Sequence, residues 1–140
     1  MGFKGCMTQM KNWTQVQKLE YDLKLHAELH QFYCVITKLA IVCLKMGFPL
    51  IIENPYSTQH YLTRYWALEP AFVDKDRTDT GDHYMKPTQY WFIGREPSNN
   101  FIFETIPKNK EIKSVIHCNK VERSMISPVY ANRFIREFII

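Results

Sequence analysis

The sequence predicts an α/β domain, and three observations carry that expectation. Apolar residues recur at helical spacing through residues 13–46. Short branched or aromatic runs at 50–53, 71–74 and 90–93 each end in charges or turn formers, as strands do. Ser127-Pro128 then opens a second helical stretch that reaches the C-terminus.

Taken in order, Asn12 or Thr14 offers the side-chain oxygen that helix starts favour. Val16, Leu19, Leu23, Phe32, Ile36, Leu39 and Cys43 follow at helical spacing up to Met46. The first turns are polar and the last nearly apolar all round, so the helix should start exposed and end buried. Gly47 stands where a left-handed glycine ends a helix. Phe48-Pro49 leads into the strand 50–53, whose apolar Leu50, Ile51 and Ile52 stop at Glu53, Asn54 and Pro55. Residues 58–66 read as a short helix carrying Tyr61, Leu62, Tyr65 and Trp66 on neighbouring faces. A second strand at 71–74 precedes a polar loop at 74–82, and a third at 90–93 is closed by Gly94. Residues 95–113 look irregular, with turns at Pro97, Asn99-Asn100 and Pro107. Ser127 caps the last helix, with Pro128 at its first position and Tyr130, Phe134 and Phe138 at four-residue spacing.

The bulk composition sets outer limits. A chain of 140 residues is one domain, 1–140, and can bury a proper core. Its 46% hydrophobic and 14% aromatic content exclude a disordered polymer. A net charge of +4 permits phosphate attraction without demanding it. The one basic cluster, Lys108, Lys110 and Lys113, reads as a solvated loop. Cysteines at 6, 34, 43 and 118 form no Cys-x-x-Cys pair, the usage of a reducing compartment. No apolar leader is visible, and the apolar stretch 32–44 is short of the ~20 residues a membrane span requires. The expectation is a cytoplasmic protein with no membrane partner.

Several constellations have a chemical and a plain reading. His26 and His30 stand four apart and could share a metal ion, but no third ligand accompanies them, so a surface or half-buried pair is favoured and no metal is assigned. Asp74, Asp76, Asp79 and Asp82 alternate oxygen donors without the glycine and terminal glutamate of a calcium loop, so a solvated loop is favoured. Tyr56, Tyr61, Tyr65, Trp66, Tyr84, Tyr90 and Trp91 are dense enough for base stacking or an interface, and equally fit for a core. Glu53 is either a buried carboxylate held by turn amides or, at the carboxyl end of a strand, a binding acid; the second reading is favoured.

Three segments matter as an ordered set. They are Leu50-Ile51-Ile52-Glu53-Asn54-Pro55, the polar turn and aromatic strand from Gly81 to Gly94 containing Lys86-Pro87-Thr88-Gln89-Tyr90-Trp91, and Arg123-Ser124-Met125-Ile126-Ser127-Pro128 opening a helix. Together they resemble the second half of a DNA cytosine-5 methyltransferase. They are most similar to the divergent branch of phages and mobile elements, which carries Ile-Glu-Asn-Pro where other members carry Glu-Asn-Val. The resemblance spans roughly residues 12–140. It implies a partial Rossmann-like methyltransferase sheet flanked by a long N-terminal and a C-terminal helix. It also makes Glu53 the acid that holds the Watson–Crick edge of a flipped-out cytosine. Asn54, Pro55, Tyr56, Lys86, Thr88, Trp91 and Arg123 become the accompanying binding residues, with Glu53, Asn54, Lys86 and Thr88 expected to converge. Lys86-Pro87-Thr88 replaces the family's arginine-bearing positions.

The family's cofactor loop, Phe-x-Gly-x-Gly, does not occur in this sequence, nor does its Pro-Cys nucleophile pair. Cys6 follows Gly5 and reads as an incidental thiol, with a relic nucleophile as the alternative. The chain is therefore expected to be a truncated, catalytically incomplete relative serving as a binding module, with no cofactor of its own. Its mobile-element likeness suggests an inhibitor of host defence of the anti-CRISPR kind. The alternative is the target-base-binding half of a split methyltransferase, to which a second subunit brings S-adenosylmethionine. Expected partners are a protein, a nucleic acid, or a second copy docking on the strand edge 50–53.

Overall fold

The structure, a computed structural model, describes residues 10–108, 111, 113 and 119–140. Helix α1 covers Gln15–Met46. Of the two candidate caps, Thr14 is used: its hydroxyl accepts from the Gln17 N–H at 3.2 Å, and the Gln17 side chain accepts from the Thr14 N–H at 2.9 Å. Gly47 ends the helix at φ 71°, and the Phe48 N–H reaches back to the Cys43 carbonyl at 2.9 Å. Only a residue without Cβ takes that left-handed turn cheaply, so the helix stops where glycine stands.

Three strands follow: β1 Leu50–Pro55, β2 Phe72–Asp74 and β3 Thr88–Ile93, with the short helix α2 Tyr61–Tyr65 between the first two. The sheet order is β1-β3-β2, and both pairings are antiparallel. The chain is thus a mixed helix-and-strand protein as expected. A Rossmann-like sheet is mostly parallel, so that finer assignment rests on the resemblance and not on these pairings. β1 also runs two residues further than the sequence indicates, carrying Asn54 and Pro55 inside the strand rather than in a turn. β3 likewise begins at Thr88.

Register and alternation decide what each face holds. Leu50, Ile52 and Asn54 stand opposite Ile93, Trp91 and Gln89 and face α1 and α2. There Ala40, Ile52, Leu62, Trp91 and Ile93 form the core, with Ile36, Leu50 and Trp66 at its margin. The Trp66 indole N–H donates to the Thr37 hydroxyl at 3.0 Å, pinning α2 to α1. Ile51, Glu53 and Pro55 stand opposite Phe92, Tyr90 and Thr88 on the other face. Phe72, Tyr90 and Phe92 there pack on Phe134 and Phe138.

Those two phenylalanines belong to the C-terminal layer: α3 Lys120–Ser124, then α4 Pro128–Phe134 continued by a π turn over Ile135–Ile139. Pro128 takes the first helical position as expected, but Ser127 does not cap. Its hydroxyl instead donates to the Gly81 carbonyl at 2.9 Å, tying α4 to the loop before β3. Gly81 lies at φ 97°, and a Cβ there would stand 2.7 Å from Val129 Cγ1. The irregular segment after β3 also closes on this layer. The Asn100 side chain donates to the Arg136 carbonyl at 2.9 Å and the Arg95 guanidinium to the Ile139 carbonyl at 2.8 Å, serving carbonyls that a helix end leaves orphaned.

The apolar end of α1 is not buried as the sequence suggests. Leu25, Leu29 and Ala40 are its buried residues, whereas Val35, Leu39, Ile41, Val42, Leu44 and Met46 are exposed. The reason is length. At ~1.5 Å per residue α1 is about 48 Å long, and at ~3.3 Å per residue β1 spans about 20 Å. The sheet can shelter only a short stripe of so long a helix. By length and composition α1 is apolar enough to cross a membrane, a property the sequence stretch 32–44 alone did not reveal.

Candidate functional site

The loop between β2 and β3 buries part of its polar set, against the expectation for 74–82. A 3-10 turn over Arg77–Thr80 carries Arg77 and Thr78 inward, and Arg77, Thr78 and Asp82 are each at most 1% exposed. Asp76 starts the turn by accepting from the Thr78 N–H at 3.0 Å. Asp82 is the hub: Oδ1 accepts from the His83 N–H at 2.6 Å, while Oδ2 accepts from Arg77 Nε at 2.9 Å and also from Nη2. A charge can be buried here because an opposite charge and backbone donors surround it.

The same guanidinium reaches the other way. Arg77 Nη1 lies 3.9 Å from Glu53 Oε1, and its Cζ sits over the Tyr130 ring, 4.9 Å from the ring centroid. Tyr130 donates to Asp74 Oδ2 at 2.9 Å, and the Tyr90 and Tyr130 hydroxyls are 2.6 Å apart. With the Tyr130 proton directed at Asp74, Tyr90 is the donor of that pair. Burial pushes the Tyr90 phenol up to about 12 and raises Tyr130 further, so both stay protonated at neutral pH. β1, β2, β3, the 3-10 turn and α4 thus each give one or more side chains to a single polar cluster.

Glu53 is the part of the cluster that meets solvent. Its side chain is 35% exposed, against 1% for Arg77. A separation of 3.9 Å is an ion-pair distance and too long for a hydrogen bond, so the carboxylate oxygens keep lone pairs for another donor. The arrangement presents an acid at the rim of the sheet with a fixed cation behind it.

The other expected site residues do not gather here. Asn54 points to the opposite face, because adjacent strand residues alternate, so the expected convergence of Glu53, Asn54, Lys86 and Thr88 fails. Thr88 shares the Glu53 face but is fully buried, its hydroxyl donating to the Lys86 carbonyl at 2.8 Å. Trp91 is 1% exposed, edge-on to Trp66 in the core. Of the aromatic set, Tyr84, Tyr90 and Trp91 are interior, while Tyr56 and Tyr65 are exposed. Pro55 and Tyr56 lie at the exposed end of β1, where the Tyr56 N–H donates to the Pro87 carbonyl at 2.8 Å. Lys86 is half-buried. Arg123 lies in α3, and its side chain is outside the described ones. Cys6, Cys118 and Lys110 are outside the described residues. Lys108 is not simply solvated, since it pairs with Asp76 and Asp79, each at 3.0 Å.

Arg77, Asp82, Tyr130 and Asp74 were not singled out from the sequence as a group. The available signal is an arginine inside a loop of four aspartates, a segment that its composition marks as solvated. Among the described residues no three metal-ligand side chains come together, and His30 instead lies 3.6 Å from the Cys34 sulfur. Compared with protein-family models, curated proteins and solved structures, the chain matches none.

Proposed function

We propose that this chain is a catalytically incomplete relative of DNA cytosine-5 methyltransferases, a partial Rossmann-like sheet retained as a binding module. The observation that carries the reading is Glu53. The residue that the resemblance makes the base-holding acid is a part-exposed carboxylate with unused acceptor capacity, backed by a buried arginine. A carboxylate so placed can accept from the exocyclic amino group of cytosine. The order of the Ile-Glu-Asn-Pro, Gly81–Gly94 and Arg123–Ile135 segments supports it, as does the edge of β1. Among the described residues no strand pairs with β1 on the side away from β3. In the family, the matching strand has a neighbour on that side.

The 140 residues contain neither the Phe-x-Gly-x-Gly loop nor a Pro-Cys pair, so we assign no cofactor and no methyl transfer to this chain alone. By analogy with the mobile-element branch, the module acts in the host cytoplasm as an inhibitor of host defence, anti-CRISPR-like in kind. We assign α1 no membrane role, because its Ile36–Thr37–Ala40 stripe is packed on the sheet and on Trp66. The unpaired β1 edge also favours a second reading, in which another subunit docks there and completes a split methyltransferase that holds S-adenosylmethionine.

Calorimetry tests the incomplete-module reading. The isolated chain should give no binding heat with S-adenosylmethionine, and clear binding overturns the incomplete-module reading. Fluorescence anisotropy with cytosine-containing single-stranded DNA tests the acid itself. Binding that weakens about tenfold in Glu53→Gln supports the base-holding role, and equal binding by the variant removes it.

A further inference from the structure

On the face of the sheet away from Glu53 lies a cavity of about 330 Å³ between α1, β1 and the start of α2. Among the described residues it is lined by Glu28, Leu29, Phe32, Asn54, His60 and Tyr61. His60 lines the cavity and is only 5% exposed; its Nδ1 is sealed from solvent without a hydrogen-bond partner, so the ring meets the cavity through its remaining edge. A buried polar nitrogen left unpaired costs on the order of 1–3 kcal/mol, so a native structure keeps one only where something else requires it. Burial also lowers the His60 pKa to about 4, so the ring is neutral at physiological pH and offers one nitrogen as donor or acceptor rather than a charge.

The rest of the lining narrows the chemistry. Leu29, Phe32 and Tyr61 supply apolar and aromatic walls, which suit a flat ring. Tyr61 is itself braced edge-on by Tyr33, with ring centroids 5.6 Å apart. Asn54 contributes one amide donor pair and one acceptor, the complement of a ring nitrogen beside an amino group. Glu28 stands at the exposed margin, and no lysine or arginine lines the cavity among the described residues. A phosphate or carboxylate would therefore find no cation in the lining, and the one nearby, Lys24, lies 3.9 Å from Glu28 and is already paired with it.

We propose that this cavity binds a planar amino-substituted heteroaromatic ring, its walls stacking on the ring and His60 and Asn54 pairing with its nitrogen edge. The site is separate from Glu53, since the two lie on opposite faces of β1. It stands independently of the methyltransferase reading.

The probe is 2-aminoquinoline, with 2-methylquinoline as the isostere that lacks the amino donor. Titration of the intact chain, followed by the ring ¹⁵N resonances of the histidines, should give saturable binding and a shift confined to His60. The methyl isostere and His60→Phe should each weaken binding about tenfold or more, because a site built to pair with an N–H rejects a partner lacking it. Phe32→Glu, at an exposed wall position, should abolish binding with the circular dichroism spectrum unchanged, and keeps the test decisive should His60→Phe not fold. Glu53→Gln should bind the probe as the parent does. No saturable binding, equal affinity for the methyl isostere, or a folded His60→Phe that binds unchanged each overturns the proposal.

Discussion

Asp82→Asn isolates the charge at the hub of the polar cluster. Asparagine keeps Oδ1 for the His83 and Tyr84 amides, which Asp82 accepts at 2.6 and 3.3 Å. What it removes is the anion facing Arg77 Nε and Nη2, and it can place an amide donor against those two donors. Both partners are 1% exposed, so solvent cannot replace the lost charge. The remaining anion near the guanidinium, Glu53, is 3.9 Å away and part-exposed, which compensates poorly. Breaking a buried pair by removing one partner costs about 3–5 kcal/mol. For a domain whose total stability is ~5–15 kcal/mol, that is a large fraction.

Urea unfolding followed by tryptophan fluorescence reads the effect directly, since Trp91 sits in the core. With a slope of about 1.5 kcal/mol per molar urea, the midpoint should fall by about 2–3 M. Arg77→Met added to Asp82→Asn should recover part of the loss, because the double variant no longer buries an unpaired cation. A fall of less than about 1 kcal/mol in Asp82→Asn would falsify the buried arrangement. It would mean that the loop opens in solution and that the pair behaves as a surface salt bridge.

Glu53→Ala should leave the fold nearly intact, at a cost under ~1 kcal/mol, because its carboxylate is part-exposed and 3.9 Å from Arg77; a loss of several kcal/mol in the same urea assay would make it structural. His60 ties stability to pH: with its folded pKa at about 4 against an ordinary 6.5, the unfolded chain binds the extra proton between those values. Its contribution is therefore full above pH 6.5 and falls as pH drops toward 4, by about 1–3 kcal/mol, and His60→Phe should flatten that part of the stability–pH curve; a parallel curve refutes the assignment. Gly81→Ala should destabilise by roughly 1–3 kcal/mol, since its Cβ would meet Val129 at 2.7 Å at a φ of 97°; an unchanged thermal midpoint would show that α4 does not press on this turn. Self-association should run through the β1 edge: the Tyr56-to-Pro87 bond fixes the strand's parity and turns the Ile51 and Glu53 amides outward. Light scattering at tens of micromolar should show a dimer that Ile51→Pro dissociates, and a stable monomer with fast exchange at those two amides sinks the idea.

The β1 edge shows how sequence and structure divide the information. Leu50, Ile51 and Ile52 announce a strand by their branching alone. From the sequence that edge looks unprotected. In the strand, Glu53 turns its charge to the Arg77 face, so the Ile51 and Glu53 amides stay open, and Pro55, without an N–H, marks where that open edge ends. A strand expected to stop at 53 hides that limit. Similarly, Asn54 beside Glu53 suggested one site, and only pairing with β3 shows that the two residues serve opposite faces.

Local chemistry settled what local chemistry can. Thr14 with Gln17 starts α1, Gly47 stops it and Pro128 opens α4, because caps, left-handed turns and a fixed φ involve residues a few positions apart. Strand segments near their observed positions belong to the same class. What the sequence could not decide is which distant groups share a volume. Arg77 reads as a solvated loop charge until β1, its own loop and α4 close around it and supply Glu53, Asp82 and Tyr130. The apolar end of α1 reads as buried until the sheet proves too short to cover it. Burial depends on the sum of all elements packed at a point, and no stretch of sequence carries that sum.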